Sequence, residues 1–340
     1  MLLSRKSGCK VTTKYATYQT NRQIISIFLG FSIGKYYFCP LKQHKNMAIR
    51  ALSILIPTYN DPCVTLVETL RHQAEAAAIR YEIIVGDDGS TSEDTIKANE
   101  VIASMPNCFY FRREQNVGRA AIRNYLVKEA LYPYVLFVDS DMTVINSQFL
   151  ANYLDADCDG VIDGGIAIMP EQTGLNGNLR YLYERAEAHR HTAEERQLQP
   201  YQHIHTANLL VRRDIMLEHP FDKRFRHYGY EDVFFGKTLR QHKIPIQHID
   251  NPLGFCIFET NSDFVAKTEE GLRTLHEFRD DLRGYSRLLT FVSGIHAPLV
   301  LSVIRLWHRL FGAAERRNLC GTSPSLTLFK YYKLGYYLSL

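Results

Sequence analysis

Five apolar or aromatic residues in a row, Tyr134-Val135-Leu136-Phe137-Val138, run straight into Asp139-Ser140-Asp141. A short unbroken run of this kind, rich in Val, Phe and Tyr, fits a strand buried on both faces of a parallel sheet. In open α/β sheets ligands bind at the carboxyl ends of the strands. Two carboxylates at such a tip repel each other unless a cation sits beside them. Mg²⁺ is commonly held by one or two carboxylates together with phosphate and water oxygens. Asp139 and Asp141 therefore suggest a metal site that carries a diphosphate. A solvated polar turn is the alternative that the short pattern leaves open.

The preceding chain tells the same story. Leu52–Pro57 reads as a strand, followed by a helix from Pro62 to Ala78 with Asp61 as its N-cap. Tyr81–Gly86 reads as a second strand and Glu93–Ala103 as a helix opened by Ser92. A short strand at Phe109–Phe111 and a helix from Asn116 to about Leu131 come next. This alternation of strand and helix is the pattern of βαβ units around a parallel sheet. Three strand ends carry polar clusters, at Thr58–Asn60, Asp87–Ser90 and Asp139–Asp141, and in a parallel sheet these lie along one edge. Neither GxGxxG nor GxxxxGK[ST] follows the first strand, so a dinucleotide fingerprint and a P-loop are absent.

The second half is less regular. Gly160–Met169 reads as a strand passing through Gly164-Gly165, Asn176–Gln199 as one long polar helix and His205–Val211 as a strand. A loop rich in aromatic residues then leads to Glu231-Asp232 at the start of a helix reaching His242, where acids suit the helix dipole. Ile244–Ile249 reads as a strand and Phe264–Arg283 as a charged amphipathic helix. Leu288–Ile304 is almost wholly apolar, is interrupted by Gly294, His296 and Pro298, and is flanked by arginines. It reads as a core-packing helical hairpin or as a patch lying on a membrane surface, not as a span.

Charge and cysteines narrow the classes. The formal net charge is +4, but residues 1–46 hold eight Lys/Arg and no acid, while residues 47–340 hold 32 Lys/Arg against 36 Asp/Glu. A nucleic-acid binder keeps its basic surplus in the folded body, so that class is disfavoured. Seven scattered cysteines without a CxxC pair argue against a disulfide framework or a zinc site and for a reducing, cytoplasmic setting. The leader 1–46 has the composition of an organellar transit segment or of an over-long start, and the preferred reading begins the protein at Met47.

Ile56-Pro57-Thr58-Tyr59-Asn60, Asp87-Asp88-Gly89-Ser90, Asn116-x-Gly118-Arg119 with Arg123-Asn124, Asp139-Ser140-Asp141 and Tyr230-Glu231-Asp232 occur in this order. Together, over about residues 50–260, they resemble glycosyltransferase family 2. The resemblance implies the GT-A fold, an α/β Rossmann-like arrangement with a mostly parallel sheet flanked by helices. The nucleotide-binding half would span about 50–145 and the acceptor half about 146–260. Residues 261–340 would form a helical C-terminal extension.

It also implies roles. Pro57, Thr58, Tyr59 and Asn60 would frame the nucleotide base, and Asp88 would accept from the N3–H of a uracil. Arg123, Asn116 and Arg119 would hold the base-side acid or the phosphates. Asp139, with Ser140, would meet the ribose or the metal, and Asp141 would bind Mg²⁺ or Mn²⁺. Asp232 would be the general base and Glu231 would orient it or the acceptor hydroxyl. One departure stands out: where related enzymes often place a metal-binding His, this chain has Phe255, and His248 is the nearby substitute.

The chemistry asks for the same groups. Loss of a nucleoside diphosphate loads charge on phosphate oxygens, which a divalent cation stabilises. A hydroxyl acceptor needs a positioned carboxylate to take its proton. One base opposite the leaving group gives a single displacement with inversion. The expected partners are a nucleotide-sugar donor and a glycan or lipid-linked glycan acceptor in surface polysaccharide synthesis, with a peripheral contact at the inner membrane face as a further expectation. A nucleotidyltransferase and a degenerate nucleotide-sugar-binding subunit without turnover are the competing readings.

Overall fold

The first strand, β1 (Ala51–Thr58), is buried along almost its whole length. The computed structural model describes residues 49–156, 160–169 and 174–340; the leader and the expected start at Met47 lie outside them. β1 alternates β-branched and leucine side chains towards two different cores. Leu52, Ile54 and Ile56 enter one, and Leu55 enters the other. The following elements are α1 (Val64–Ala76), β2 (Arg80–Asp87), α2 (Glu93–Glu100), β3 (Cys108–Arg112), α3 (Arg119–Glu129) and β4 (Tyr134–Val138). β4 repeats the rule of β1, with Leu136 and Val138 on one face and Val135 and Phe137 on the other. Burial on both faces is the reason that these strands are apolar without alternation.

Then come β5 (Met142–Val144), α4 (Phe149–Leu154), β6 (Val161–Asp163), β7 (Ile166–Ile168), α5 (Leu179–Glu187), α6 (Ala193–Leu198), β8 (Asn208–Arg212), α7 (Arg213–Glu218), α8 (Glu231–Gln241), β9 (Ile246–His248) and β10 (Leu253–Phe255). The main sheet has seven strands in the order β3-β2-β1-β4-β8-β6-β9. All its pairings are parallel except the two made by β8. A small second sheet has the order β5-β10-β7. The strand order reverses between β1 and β4, and a crevice opens at their carboxyl ends, where such sheets bind ligands.

Three expectations for local structure need correction. The first helix begins at Val64 after Cys63, not at Pro62, and Asp61 is not its cap. The Cys63 N–H is satisfied instead by Asn99 Oδ1 at 3.0 Å, which frees the Asp61 side chain to point elsewhere. The strand expected over Gly160–Met169 is two strands in two different sheets, and the chain changes sheet at Gly164-Gly165. The helix expected over Asn176–Gln199 is broken: α5 ends in a single 3₁₀ turn at Ala188–Arg190, and Thr192 recaps α6 by accepting from Glu195 N–H.

The second glycine of this pair is required by a buried charge. Arg196 of α6 is sealed from solvent. It donates to Asp163 Oδ1 at 2.9 Å, to the Ile249 carbonyl at 2.9 Å and to the His191 carbonyl at 3.0 Å. A Cβ at Gly165 would lie 2.5 Å from Arg196 Nη2, and the backbone there has φ +79°. Gly165→Ala is therefore expected to cost about 2–4 kcal/mol, from backbone strain plus displacement of a buried guanidinium. A urea midpoint within error of wild type would refute this.

The C-terminal helices are α9 (Asn261–Glu277), α10 (Arg287–Ser293), α11 (Pro298–Leu319) and α12 (Leu326–Ser339). α9 shares an apolar core with α12 and with Phe225 of the loop before α8. α11 and α12 form a close hairpin in which Gly312 and Gly335 admit the His308 ring. The two regions expected either side of residue 260 thus belong to one compact unit, Asn46–Leu340.

Candidate active site

Each strand tip is held by its neighbour. Asn60, at φ 54°, uses its side-chain oxygen to accept from the N–H groups of Thr91 and Ser92, at 2.8 and 2.9 Å. Asp87 accepts from Ser90 N–H at 2.7 Å and from the Tyr110 hydroxyl at 2.7 Å. Asp88 accepts from Val117 N–H at 3.0 Å and Gly118 N–H at 2.9 Å, which anchors the loop that opens α3. Burial raises the Asp88 carboxyl above its ordinary value, and those two N–H groups oppose the rise. Gly89, at φ +80°, lets that loop close down: a Cβ there would lie 2.8 Å from Asn116 N.

Three carboxylates meet between the tips of β1 and β4. Burial pushes Asp141 up to about 6, reinforced by the charges of Asp139 and Asp61 and opposed by Arg119 and Arg180. Asp61 is raised by burial and by Asp139, against a hydrogen bond from Ser140. Its Oδ2 is buried with no hydrogen-bond partner. Among the described residues no group of three or more His, Cys, Asp or Glu side chains is placed to hold a metal ion. An open acidic mouth with an orphaned carboxylate oxygen does match the sparse protein ligation that Mg²⁺ accepts.

The acidic mouth is tied to α8 by one arginine. Arg123 of α3 is fully buried; its Nη2 donates to Asp139 Oδ1 at 2.6 Å, and its Nη1 lies 3.7 Å from Glu231 Oε1. Tyr230, in the left-handed region at φ 68°, turns the chain sharply into α8 and presents Glu231 and Asp232 together. Asp232 Oδ1 accepts from Val233 N–H at 2.7 Å. Burial, and then the Glu231 charge, push its carboxyl up to about 6.

A cavity of about 570 Å³ joins most of these groups. Its walls include Pro57, Thr58, Tyr59, Asp88, Asn116, Arg119, Arg123, Asp139, Ser140 and Asp141. Asn60, Glu231, Asp232 and His248 are not among its lining residues. Asn60 is taken up by the turn at Thr91, and Glu231 reaches the cavity only through Arg123. His248 must be withdrawn as a metal ligand: Nδ1 lies 2.8 Å from Arg196 Nη1, and Nε2 faces the Pro200 carbonyl at 3.0 Å. Phe255 is buried with the Arg180 guanidinium 4.3 Å from its ring centre, so that position serves packing.

The sequence reading missed Asp61, Arg226, His227, Tyr228, Ile257, Lys267 and Glu270, all of which line the cavity. Asp61 follows the first strand-tip motif directly, and that adjacency was a usable signal. Lys267 and Glu270 sit on α9, on a charged helix face with no feature that sets it apart from a solvated one. Tyr228 stacks beneath Arg119, with the guanidinium 5.1 Å from the ring centre.

Residues 53–219 match the sequence profile of Glycosyl transferase family 2. This stretch, just under half of the chain, belongs to that family. The fold is shared with Mannosyltransferase PcManGT from Pyrobaculum calidifontis, solved in complex with GDP-Man and Mn²⁺. It aligns with a TM-score of 0.52 at 14% identity over 84% of each chain. Putative glycosyltransferase EpsH of Bacillus subtilis (strain 168) is 25% identical over 276 residues, 69% of this chain and 74% of that protein. Chondroitin synthase of Escherichia coli is 32% identical over 114 residues, 33% of this chain but only 16% of that protein. The expectation of a mostly parallel GT-A sheet with a helical C-terminal extension holds.

Proposed function

We propose that this chain is an inverting glycosyltransferase. It moves a sugar from a nucleoside-diphosphate sugar, UDP-linked in the first instance, to a hydroxyl of a glycan or lipid-linked glycan in surface polysaccharide synthesis. The observation that carries this reading is the Arg123 bridge, which joins the donor-side Asp139 to the Glu231-Asp232 pair. Tyr59 and Pro57 would flank the base, and Arg119, held over Tyr228, would face the phosphates. Asp141, with one neighbouring carboxylate and with phosphate and water oxygens, would hold Mg²⁺ or Mn²⁺, which when bound stabilises charge on the departing diphosphate. Asp232 takes the proton of the acceptor hydroxyl as its oxygen bonds to the anomeric carbon and the bond to the diphosphate breaks. Arg180, whose charge reaches Asp141, also lines a second cavity of about 450 Å³ with Glu184, Arg185 and His191, to which we assign the acceptor.

Calorimetry with UDP, GDP and dTDP, with and without Mn²⁺, tests the donor site. UDP is expected to bind at least about tenfold more weakly without Mn²⁺ or in Asp141→Ala, a loss of about 1.4 kcal/mol. Equal affinity without metal would remove the metal from the mechanism, and preference for GDP would bring the donor nearer that of PcManGT. Binding without release of nucleotide diphosphate from any sugar-nucleotide would favour the degenerate subunit. Retained anomeric configuration in the product would exclude the single displacement.

A further inference from the structure

α11 has two apolar faces where a packed surface helix needs one. Leu301, Ile304, His308, Gly312, Glu315 and Leu319 are its more buried positions, recurring at three- and four-residue spacing. On another side Leu299, Val303, Leu306, Trp307 and Leu310 are each more than half exposed, and Phe311 adjoins them at 43%. At 3.6 residues per turn these six fall within an arc of about 140°. Phe291 of α10 is 58% exposed as well. Contiguous exposed apolar surface of this kind marks an interaction site.

The charges around it point to the partner. Residues 284–340 contain seven Lys/Arg and one acid, Glu315, whereas residues 47–283 contain 25 Lys/Arg against 35 Asp/Glu. Glu315 is buried and faces inward, where it accepts from Trp307 Nε1 at 2.9 Å and lies 3.3 Å from His308 Nδ1. Arg305 and Arg309 are exposed along one flank of the stripe and Arg317 at its carboxyl end, while Arg316 beside them is paired with Glu269 at 2.8 Å. A two-fold contact between copies would set this cationic surface against itself. An anionic lipid surface satisfies both the apolar stripe and its basic border. No helix among the described residues is long and apolar enough to cross a membrane.

We propose that α11, with the end of α10, lies in the interface of an anionic lipid bilayer with Leu299, Leu306, Trp307 and Leu310 among the acyl chains. This is independent of the reading of the catalytic cavity. Trp307 is the only tryptophan of the chain, so its emission reports this face alone. Vesicle pelleting by itself does not discriminate, because residues 1–46 carry eight Lys/Arg and no acid and attract anionic lipid by charge.

The test is full-length protein with vesicles of phosphatidylcholine and phosphatidylglycerol in equal amounts. Trp307 emission is expected to shift to the blue and to be quenched by acyl-brominated lipid, and pure phosphatidylcholine is expected to give a much smaller response. Leu306→Glu with Leu310→Glu is expected to weaken binding at least roughly tenfold. Arg309→Glu and Arg317→Glu are expected to weaken it about fivefold each. Nucleotide binding in these variants is expected to match wild type, so loss of the lipid contact and loss of the donor site read separately. Trp307 emission untouched by anionic vesicles overturns the proposal. So does emission that is already blue without lipid while sedimentation shows a dimer.

Discussion

Asp232→Asn is expected to lower the rate of sugar transfer by about 10²–10⁴-fold, the usual contribution of a positioned general base. Its affinity for the nucleotide is expected to stay within about twofold of wild type. The amide keeps an oxygen that can accept from Val233 N–H, so the start of α8 is preserved. What it loses is the ability to take a proton. The carboxyl, pushed up to about 6 by burial and by Glu231, is deprotonated above that pH and protonated below it. The wild-type rate is therefore expected to rise through about pH 6 to a plateau, falling about tenfold per pH unit on the acid side. With metal and donor saturating, so that Asp141 stays ionised, the residual rate of the variant is expected to lack that rise. An Asn variant with a third or more of the wild-type rate would place the base elsewhere.

Arg196→Met is expected to destabilise the fold by about 3–5 kcal/mol, because removing one partner of a buried ion pair strands the other. The stranded group is Asp163, which is sealed from solvent on β6. Burial pushes its carboxyl up, but His205, Arg196 and His248 outweigh burial and hold it below its ordinary value. A lowered carboxylate stabilises the fold above its unfolded pKa of about 3.9 and loses that contribution as the pH falls through the folded value. The difference between wild type and variant should thus be full at neutral pH and shrink only in acid. Urea titration at pH 7 and at pH 3 measures both. A loss under about 1 kcal/mol at neutral pH would mean that the backbone N–H groups of His205 and Gly165, each 2.7 Å from an Asp163 carboxylate oxygen, suffice to hold it.

The first half of the fold was legible because its signals are local. β4 occupies the five residues marked by their apolar run, and the tips of β1, β2 and β4 carry the polar clusters that line one crevice. A strand buried on both faces must be apolar throughout, and an acid at its end has nowhere to go but the crevice. The second half depends on contacts far apart in sequence. Gly164-Gly165 looked like part of one strand, and only groups distant in sequence, Asn208 and Asn251 against Gly164 and Arg196 against Gly165, explain why glycine stands where the chain passes into another sheet. Asp61 looked like a helix cap because it precedes Pro62, yet Asn99 satisfies the helix start from a different helix. His248 looked like a metal ligand by its position before Asn251-Pro252, and the buried Arg196–Asp163 pair claims it instead.

The same division holds for function. The sequence by itself determined the parallel α/β frame, the family, the acids at the strand ends and the basic, apolar character of residues 284–340. Each of these follows from residue type and short-range spacing. Only the tertiary structure decided that Arg123 links Asp139 to Glu231, that α9 supplies Lys267 and Glu270 to the cavity wall, and that α11 leaves an apolar stripe uncovered. A charged or apolar helix face has the same pattern whether it meets a ligand, a core or a membrane. What it faces is set by the packing of distant elements, and that information is not carried by the helix alone.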